Sequence, residues 1–359
     1  MAVNSHKLAA PPRVSASSFL TRQMRHVLLT GTISLFAMLL LSAYLMPMAS
    51  ATMVALKPRY NEPDTPNWPA APAIFTYNGE NYSIYNVPID GEMRRLALIK
   101  KGREKSTFID PSNPATPIEW QGRWRTLDRV WNLSFETENF AEAYRVSRFG
   151  RLFINTVLIA TIGAVGTMIS STLVAYGFSR FRIPGKSILF VILIATIILP
   201  PQVTLIPTYT LYTRIGWTGT WLPLLVPHFF ANAYNVFLLR QFFMGIPRDL
   251  DEAAMIDGAS PFRTLVSVIL PQSIPALIAV TLFHFFWAWN DFFGPLIYLV
   301  GKRELWPISV GIQDFNALYA VQPNLIQAVT LMSMAVPLLI FFLAQRFFMQ
   351  GVVVTGVEK

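Results

Sequence analysis

Three ionisable side chains, His228, His284 and Asp291, fall inside long apolar runs of this sequence. Such groups inside a membrane segment mark ion pathways and proton relays, because an unpaired charge there is costly. A relay needs a second buried carboxylate, and the apolar runs supply none. That counts against a carrier driven by protons or sodium. Hydrolytic chemistry is equally thin. No HExxH, CxxC or GxSxG pattern occurs, and with no cysteine there is no disulfide framework or thiolate metal site. Gly185-Lys186-Ser187 looks like the end of a phosphate-binding loop, but the first glycine that loop requires falls on Arg180. The chain is therefore not expected to bind ATP by that route.

The one cluster of acids lies in "RDLDEAAMIDGASPF", residues 248–262. Pro247 suits the first turn of a helix. Asp249, Asp251 and Glu252 sit where the helix dipole favours anions, so capping explains them without catalysis. Leu250, Ala253, Ala254 and Asp257 share a face at i, i+3, i+4 spacing. Gly258 supplies a left-handed stop. Ser260-Pro261 then opens a second helix, which runs through "PFRTLVSVIL" to Pro271. Ala253 and Ala254 leave a flat surface on which another protein's backbone can approach closely. An amphipathic connector resting on the membrane fits the same residues, and helix physics alone does not choose between the two.

The elements that would position these groups are membrane helices. The chain is 53% hydrophobic and only 14% charged, with a mean hydropathy of +0.42. A spanning helix needs about 20 apolar residues, and six runs qualify: 26–51, 152–178, 187–212, 220–239, 274–300 and 326–342. The expected fold class is an all-α polytopic membrane protein, since helices satisfy their own backbone in lipid. Ala49-Ser50-Ala51 resembles a signal cleavage site, but the first run exceeds the length of a signal core, so an uncleaved span is expected. The net charge of +9 is dispersed and does not point to nucleic acid. Lys7, Arg13, Arg22 and Arg25 precede the first run; Arg180, Arg182, Lys186, Arg240, Arg248, Arg263, Arg346 and Lys359 fall on the same side if six spans exist. The positive-inside rule makes that side cytoplasmic, with both termini there; Lys302 and Arg303 are a mild exception.

Residues 52–151 form a long segment on the opposite side, carrying 14 Lys/Arg and 12 Asp/Glu. Its start is proline-rich. Asn78-Gly79 within "AIFTYNGENYSIYNV" predicts a hairpin, "MRRLALI" and "STFID" predict a second around "KKGREK", and "IEWQGRWRTL" predicts a further strand. The expected organisation is a cytoplasmic N-terminus at 1–25, a first span at 26–51, and an extracytoplasmic insert at 52–151 that is β-rich over 73–127. A five-helix core follows at 152–359, with a cytoplasmic loop at 245–272. The insert reads as a cap over the membrane part, a docking module, or a sugar-stacking surface. Phe140, Tyr144, Val146 and Phe149 predict one apolar face on a short helix entering the second span.

The segment "EAAMIDGASPFRTLVSVILP" resembles the cytoplasmic signature of permease subunits of binding-protein-dependent ABC importers. Glu252-Ala253-Ala254, Gly258 and Leu270-Pro271 match that signature, and Val268 stands where it has isoleucine. "FFWAWNDFFGPLIYLV" and the tail "QRFFMQGVVVTGVEK" are similar to the carbohydrate-importing branch, the maltose-type smaller permease and its glycerol-3-phosphate-importing relatives. The resemblance covers roughly 135–359; the long insert departs from it.

The resemblance implies one half of a heterodimeric translocation pathway in a bacterial or archaeal cytoplasmic membrane. A second permease subunit, two ATP-binding subunits that use the ATP, and an extracytoplasmic solute-binding protein would complete it. Glu252, Ala253, Ala254, Asp257, Gly258, Leu270 and Pro271 would form the ATPase-coupling segment. Trp287, Asn290 and Asp291 would lie on the translocation pathway, with Asp291 alternatively bracing the kink near Gly294-Pro295. The chain would bind no cofactor and would not itself be an enzyme. The rivals are an ion-coupled secondary carrier, which would show coupling-ion groups and inverted repeats, and a membrane-embedded transferase, which would show clustered catalytic groups.

Overall fold

The apolar runs become helices in the computed structural model of the chain, which describes residues 16–58, 65–317 and 320–353. Most of the expected cytoplasmic N-terminus and the last residues of the tail lie outside these. Helix α1, Ala16–Ala55, presents its apolar side chains outward from Val27 through Met53, and this stretch forms a unit of its own. Everything from Val54 onward forms the second unit.

That second unit opens with strands. Short β1 (Ala70–Pro72) precedes a five-stranded antiparallel meander of β2 (Ile74–Tyr77), β3 (Glu80–Ile89), β4 (Glu92–Lys100), β5 (Lys105–Asp110) and β6 (Asn113–Gln121). Asn78 and Gly79 take φ of 52° and 82°, the mirror-image turn that matches strand twist, so the expected hairpin forms there. Asp90-Gly91 repeats the geometry between β3 and β4, a turn that the sequence reading passed over. Val87, Leu96 and Phe108 are fully buried in the sheet core, each contributing about 1.5–3 kcal/mol. Strand β7, Trp131–Leu133, returns to pair with β1, so the β-rich region reaches beyond 73–127 at both ends.

The face expected around helix α2, Glu138–Ser147, is buried only in part: Phe149 lies in the core and Phe140 packs against it. Tyr144 and Val146 are exposed; Asn139, Ala143 and Ser147 are buried instead. Asn139 decides this. Its Nδ2 donates to the carbonyls of Ala55 and Lys57 at 2.8 and 2.9 Å, and its Oδ1 accepts from Asn324 Nδ2 at 3.0 Å. A buried amide that satisfies three partners outweighs a modest apolar stripe.

Helix α3, Phe149–Arg180, is the central helix of the unit. The run at 187–212 is not one straight helix: α4 (Lys186–Ile198) and α5 (Pro201–Arg214) meet at 97°. Pro200-Pro201 explains the break, since Pro201 lacks a donor and forces Pro200 into an extended conformation. Short α6 (Leu222–Leu225), a 3-10 turn and α7 (Ala233–Gly245) form the next apolar stretch. Then follow α8 (Asp249–Ile256), α9 (Pro261–Thr264), a π turn over Leu265–Ile269, and α10 (Leu270–Gln272). At Ser273 the chain bends 83° into α11 (Ile274–Asn290), between Pro271 and Pro275. The Ser273 amide and Oγ both donate to the Ile269 carbonyl, at 3.1 and 2.7 Å, on the near side of the bend. Helices α12 (Phe293–Tyr298), α13 (Ile308–Gly311) and α14 (Pro323–Val353) complete the order.

Four helices among the described residues are long and apolar enough to cross a membrane, or up to six if each bent pair is one span. The protein is mostly helical, with a small β-rich region toward its N-terminal end. Helix α3 is the shared wall of two cores. Leu152, Ala160 and Ala164 pack with Phe285, Trp289, Leu325 and Val329, while Ala175 and Tyr176 pack with Val236, Leu239, Phe243 and Ile269.

Candidate functional site

The acidic segment forms the helix that its composition predicts, and its caps are both visible. Asp249, Asp251 and Glu252 occupy the first turn of α8. At the far end Gly258 has φ of +76°, the Gly258 amide bonds to the Met255 carbonyl, and the Ala259 amide to the Ala254 carbonyl. This is the paired bonding of a Schellman stop, which needs the left-handed residue that glycine supplies. Ser260 Oγ then accepts from the Arg263 amide at 3.3 Å and starts α9.

One charge in that first turn does more than cap. Asp251 is buried, and its Oδ2 lies 3.0 Å from Arg180 Nε at the end of α3, with both side chains 8% exposed. Arg180 Nη2 also donates to the Ile246 carbonyl at 3.0 Å. Beside this pair, the Tyr176 hydroxyl donates to the Pro261 carbonyl at 3.0 Å. The end of α3 therefore grips both helices of the acidic segment. A cleft of about 180 Å³ opens there, lined by Tyr176, Arg180, Asp251, Glu252, Met255 and Pro261 among others. The sequence reading missed this clamp. Arg180 carried a topology signal and Asp251 a dipole signal, and neither announces the other.

The two alanines do not form one flat outer surface. Ala253 is exposed, but Ala254 is buried against the rest of the chain. Glu252, Asp257 and Gly258 are exposed. What the segment presents outward is apolar: Met255 at 63%, Ile256 at 86% and Phe262 at 68% exposure. Leu270 is half-buried against the Tyr176–Phe243 core, and Pro271 is exposed at the bend. These two shape the turn into α11 rather than joining the surface of α8.

At the other end of α11 the three expected pathway residues part company. Trp287 and Asp291 line a cavity of about 320 Å³, together with Thr204, Thr208, Tyr212, His228 and Tyr298. Asn290 is not among the cavity's lining residues; it is exposed, and its Nδ2 donates to the Phe286 carbonyl at 2.8 Å. Asp291 terminates α11 with ψ of 118°, and its Oδ1 accepts from the Gly294 amide at 3.2 Å, tying down the start of α12. Ser309 Oγ donates to the Asp291 carbonyl at 2.6 Å. Trp289 faces away, buried against Phe153 and Phe285. The sequence reading also left His228 and His284 separate. Their rings lie 4.4 Å apart in an edge contact, His284 Nδ1 is 3.3 Å from Thr167 Oγ1, and Trp287 sits against both rings. Among the described residues no group of three or more His, Cys, Asp or Glu side chains is placed to hold a metal ion.

The family described as "Binding-protein-dependent transport system inner membrane component" matches residues 171–354, which include the whole acidic segment and the cavity wall on α5, α11 and α12. The chain is 32% identical over 275 residues to "Osmoprotective compounds uptake permease protein GgtD" of Synechocystis sp., covering 76% of this chain and 92% of that protein. It is 34% identical over 246 residues to "sn-glycerol-3-phosphate transport system permease protein UgpE" of Pectobacterium atrosepticum, covering 67% and 83%. The "Alpha-glucoside transport system permease protein AglG" of Rhizobium meliloti is 28% identical over 62% of this chain and 60% of its own length. A solved chain from a bacterial ABC transporter involved in the import of the acidic polysaccharide alginate shares the fold, with a TM-score of 0.59 over 94% of this chain and 100% of that one, at 20% identity.

Proposed function

The chain belongs to the family of binding-protein-dependent transport system inner membrane components and is a permease subunit of an ABC importer, and from that premise we propose that α8 is its coupling element. One observation carries this reading. A short helix is locked to the end of a membrane helix by a buried ion pair, yet turns Met255 and Ile256 outward, with Phe262 of α9 exposed beside them. A cytoplasmic ATP-binding subunit would cover that patch. Movement of the ATPase would then pass through Arg180–Asp251 into α3, and through the bend at Ser273 into α11. A second permease subunit, two ATP-binding subunits and an extracytoplasmic solute-binding protein complete the assembly. The chain itself binds no nucleotide in this scheme.

Six crossings are the span count that the contacts support. Arg180 lies about 37 Å along α3 from Asn155, at 1.5 Å per residue, so the two mark opposite faces of a bilayer core of about 30 Å. Arg180 pairs with Asp251, so the chain between them crosses an even number of times. The stretch α6–α7 is one crossing, and the bent pair α4–α5 must be the other. Asn155 Nδ2 donates to the carbonyls of Glu304 and Trp306, both at 2.9 Å, so α11 crosses once between Asp251 and Glu304. Helices α1, α3 and α14 complete the count. The loop-charge pattern supports a cytoplasmic position for α8 and for both termini.

For the solute we propose a small polyhydroxylated compound, a sugar, polyol or glycerol phosphate. Relatives carry uptake names for osmoprotective compounds, alpha-glucosides and glycerol phosphate. The cavity beside Trp287 and Asp291 offers hydroxyls from Thr204, Thr208, Tyr212 and Tyr298 next to aromatic faces. Ile256→Asp tests the coupling reading. The variant is expected to reach the membrane and bind its partner permease while losing the co-purifying ATPase. Normal ATPase recovery would mean that Met255, Ile256 and Phe262 rest in lipid, and that α8 is a connector.

A further inference from the structure

Four cations gather where α3 gives way to α4. Arg180, Arg182, Lys186 and Arg248 line a recess of about 420 Å³, with Phe181, Ile183 and Pro184 as its apolar edge. Asp251 neutralises Arg180. Among the described residues no carboxylate pairs with Arg182, Lys186 or Arg248. The charges of Arg240 and Arg248 act repulsively on Lys186. The Arg240 guanidinium carbon lies 4.1 Å from the centroid of the Phe190 ring, and its Nε is buried without an acceptor. Lys186 Nζ is turned toward the Phe181 carbonyl at 3.1 Å, over the edge of the recess rather than away from it. Loop charges that serve only as topology signals have no reason to converge, and repulsion alone would splay them.

We infer that this recess is a binding site for a phosphate group, held between Arg182, Lys186 and Arg248. The positive end of α4, which begins at Lys186, adds to the field there. Two sources share that chemistry, a phospholipid headgroup and a free phosphate. The surroundings favour the headgroup. Helix α4 leaves the recess with no buried residue along its length, and Ile188, Val191 and Ile192 are 68%, 66% and 57% exposed. An acyl chain can follow that face while the phosphate stays in the cationic recess. The site lies at the same membrane face as α8, where the positive-inside pattern places the anionic leaflet, and basic pockets at such positions hold lipid headgroups. The inference uses the membrane orientation proposed above, but it is independent of the solute and of ATPase docking.

The test uses the whole transporter complex, purified and exchanged into nanodiscs of phosphatidylcholine doped with phosphatidylglycerol. Arg182→Gln with Lys186→Gln is compared with Arg214→Gln with Lys302→Gln, a charge-matched control. The wild type and the control should retain phosphatidylglycerol through delipidation. The double variant should retain it about fivefold less per cation removed. Arg182→Lys should retain it. Co-purification of the ATPase and the partner permease with each variant shows that the fold and the coupling contact persist. Inorganic phosphate is then titrated into complexes in pure phosphatidylcholine, with thermal stability as the readout. Stabilisation by phosphate together with no preference for phosphatidylglycerol would assign the site to a soluble phosphate and overturn the headgroup assignment. Equal phosphatidylglycerol retention by the double variant and wild type, with no phosphate response, would overturn the site altogether.

Discussion

Asp251 and Arg180 show how much one buried pair can carry. Each is a charge in a place that water barely reaches, so removing one partner strands the other. Asp251→Ala is expected to cost about 3–5 kcal/mol locally, as breaking one side of a buried pair does. The expected phenotype is ATP hydrolysis that no longer responds to solute, with the ATPase still bound, because the outward patch is intact. Asp251→Asn should be milder, since it keeps a polar group of the same shape beside the guanidinium. Comparing solute-stimulated ATP hydrolysis in the two variants checks this, and equal coupling in Asp251→Ala and wild type would remove the clamp from the mechanism. Gly258 gives a second case. A Cβ there meets nothing within 4 Å, so only its φ of +76° resists substitution. Gly258→Val should therefore impair ATPase co-purification through backbone strain of about 1–2 kcal/mol, and Gly258→Asn, which tolerates that conformation, should retain most of it. Ala254 and Ala253 now predict different failures. Ala254→Trp overfills the interior and should lower the amount of permease in the membrane. Ala253→Trp stands on the exposed side and should leave that amount unchanged while weakening ATPase recovery in pull-downs.

At the scale of elements, the β-rich insert is the most separable part. Its sheet has its own core of Val87, Leu96 and Phe108, and the β1–β7 pair sets Pro72 opposite Trp131 where the chain enters and leaves. Replacing residues 73–127 with a short Gly/Ser linker should therefore close without strain. The shortened chain is expected to insert and to assemble with its partner permease, measured by membrane fractionation and pull-down. Degradation or loss of assembly would make the sheet part of the permease core. The legibility of these elements follows range. The Asn78-Gly79 hairpin, the capped α8 and its Gly258 stop depend on residues within a few positions, so the sequence shows them directly. The break near Pro200 falls inside a run that the sequence reading took as one span, and the bend at Ser273 falls just beyond Pro271, where the second helix was expected to end; both angles depend on packing. The clamp between Arg180 and Asp251, the His228–His284 contact and the Asn139 hub join residues far apart in the chain. No local pattern reports such partners. The same limit hid the true faces of α2 and α8, where a buried amide and an ion pair overrode the apolar spacing.

For the whole molecule, the proposed six crossings rest on contacts, and their proposed direction rests on charge. Parity between Asn155, Arg180 and Asp251 would be unchanged if the entire unit were inverted. Only the basic loops break that symmetry. Arg180, Arg182, Lys186, Arg240, Arg248 and Arg263 cluster at the α8 end, while the opposite short loops hold Arg214, Lys302 and Arg303. The insert carries nearly balanced charge and is too long for the loop rule, so it follows rather than decides. The chain contains no cysteine, which makes the direction measurable with one introduced thiol at a time. Lys101 lies exposed at the β4–β5 turn, and Asp257 is exposed at the end of α8. In spheroplasts, Lys101→Cys should react with a membrane-impermeant maleimide, and Asp257→Cys should react only after the membrane is opened. The reverse pattern would invert the subunit and place α8 where no ATPase can reach it. Labelling of both thiols in sealed spheroplasts would break the parity between them, and would mean that the bent pair α4–α5, which lies between them in the chain, turns back without crossing.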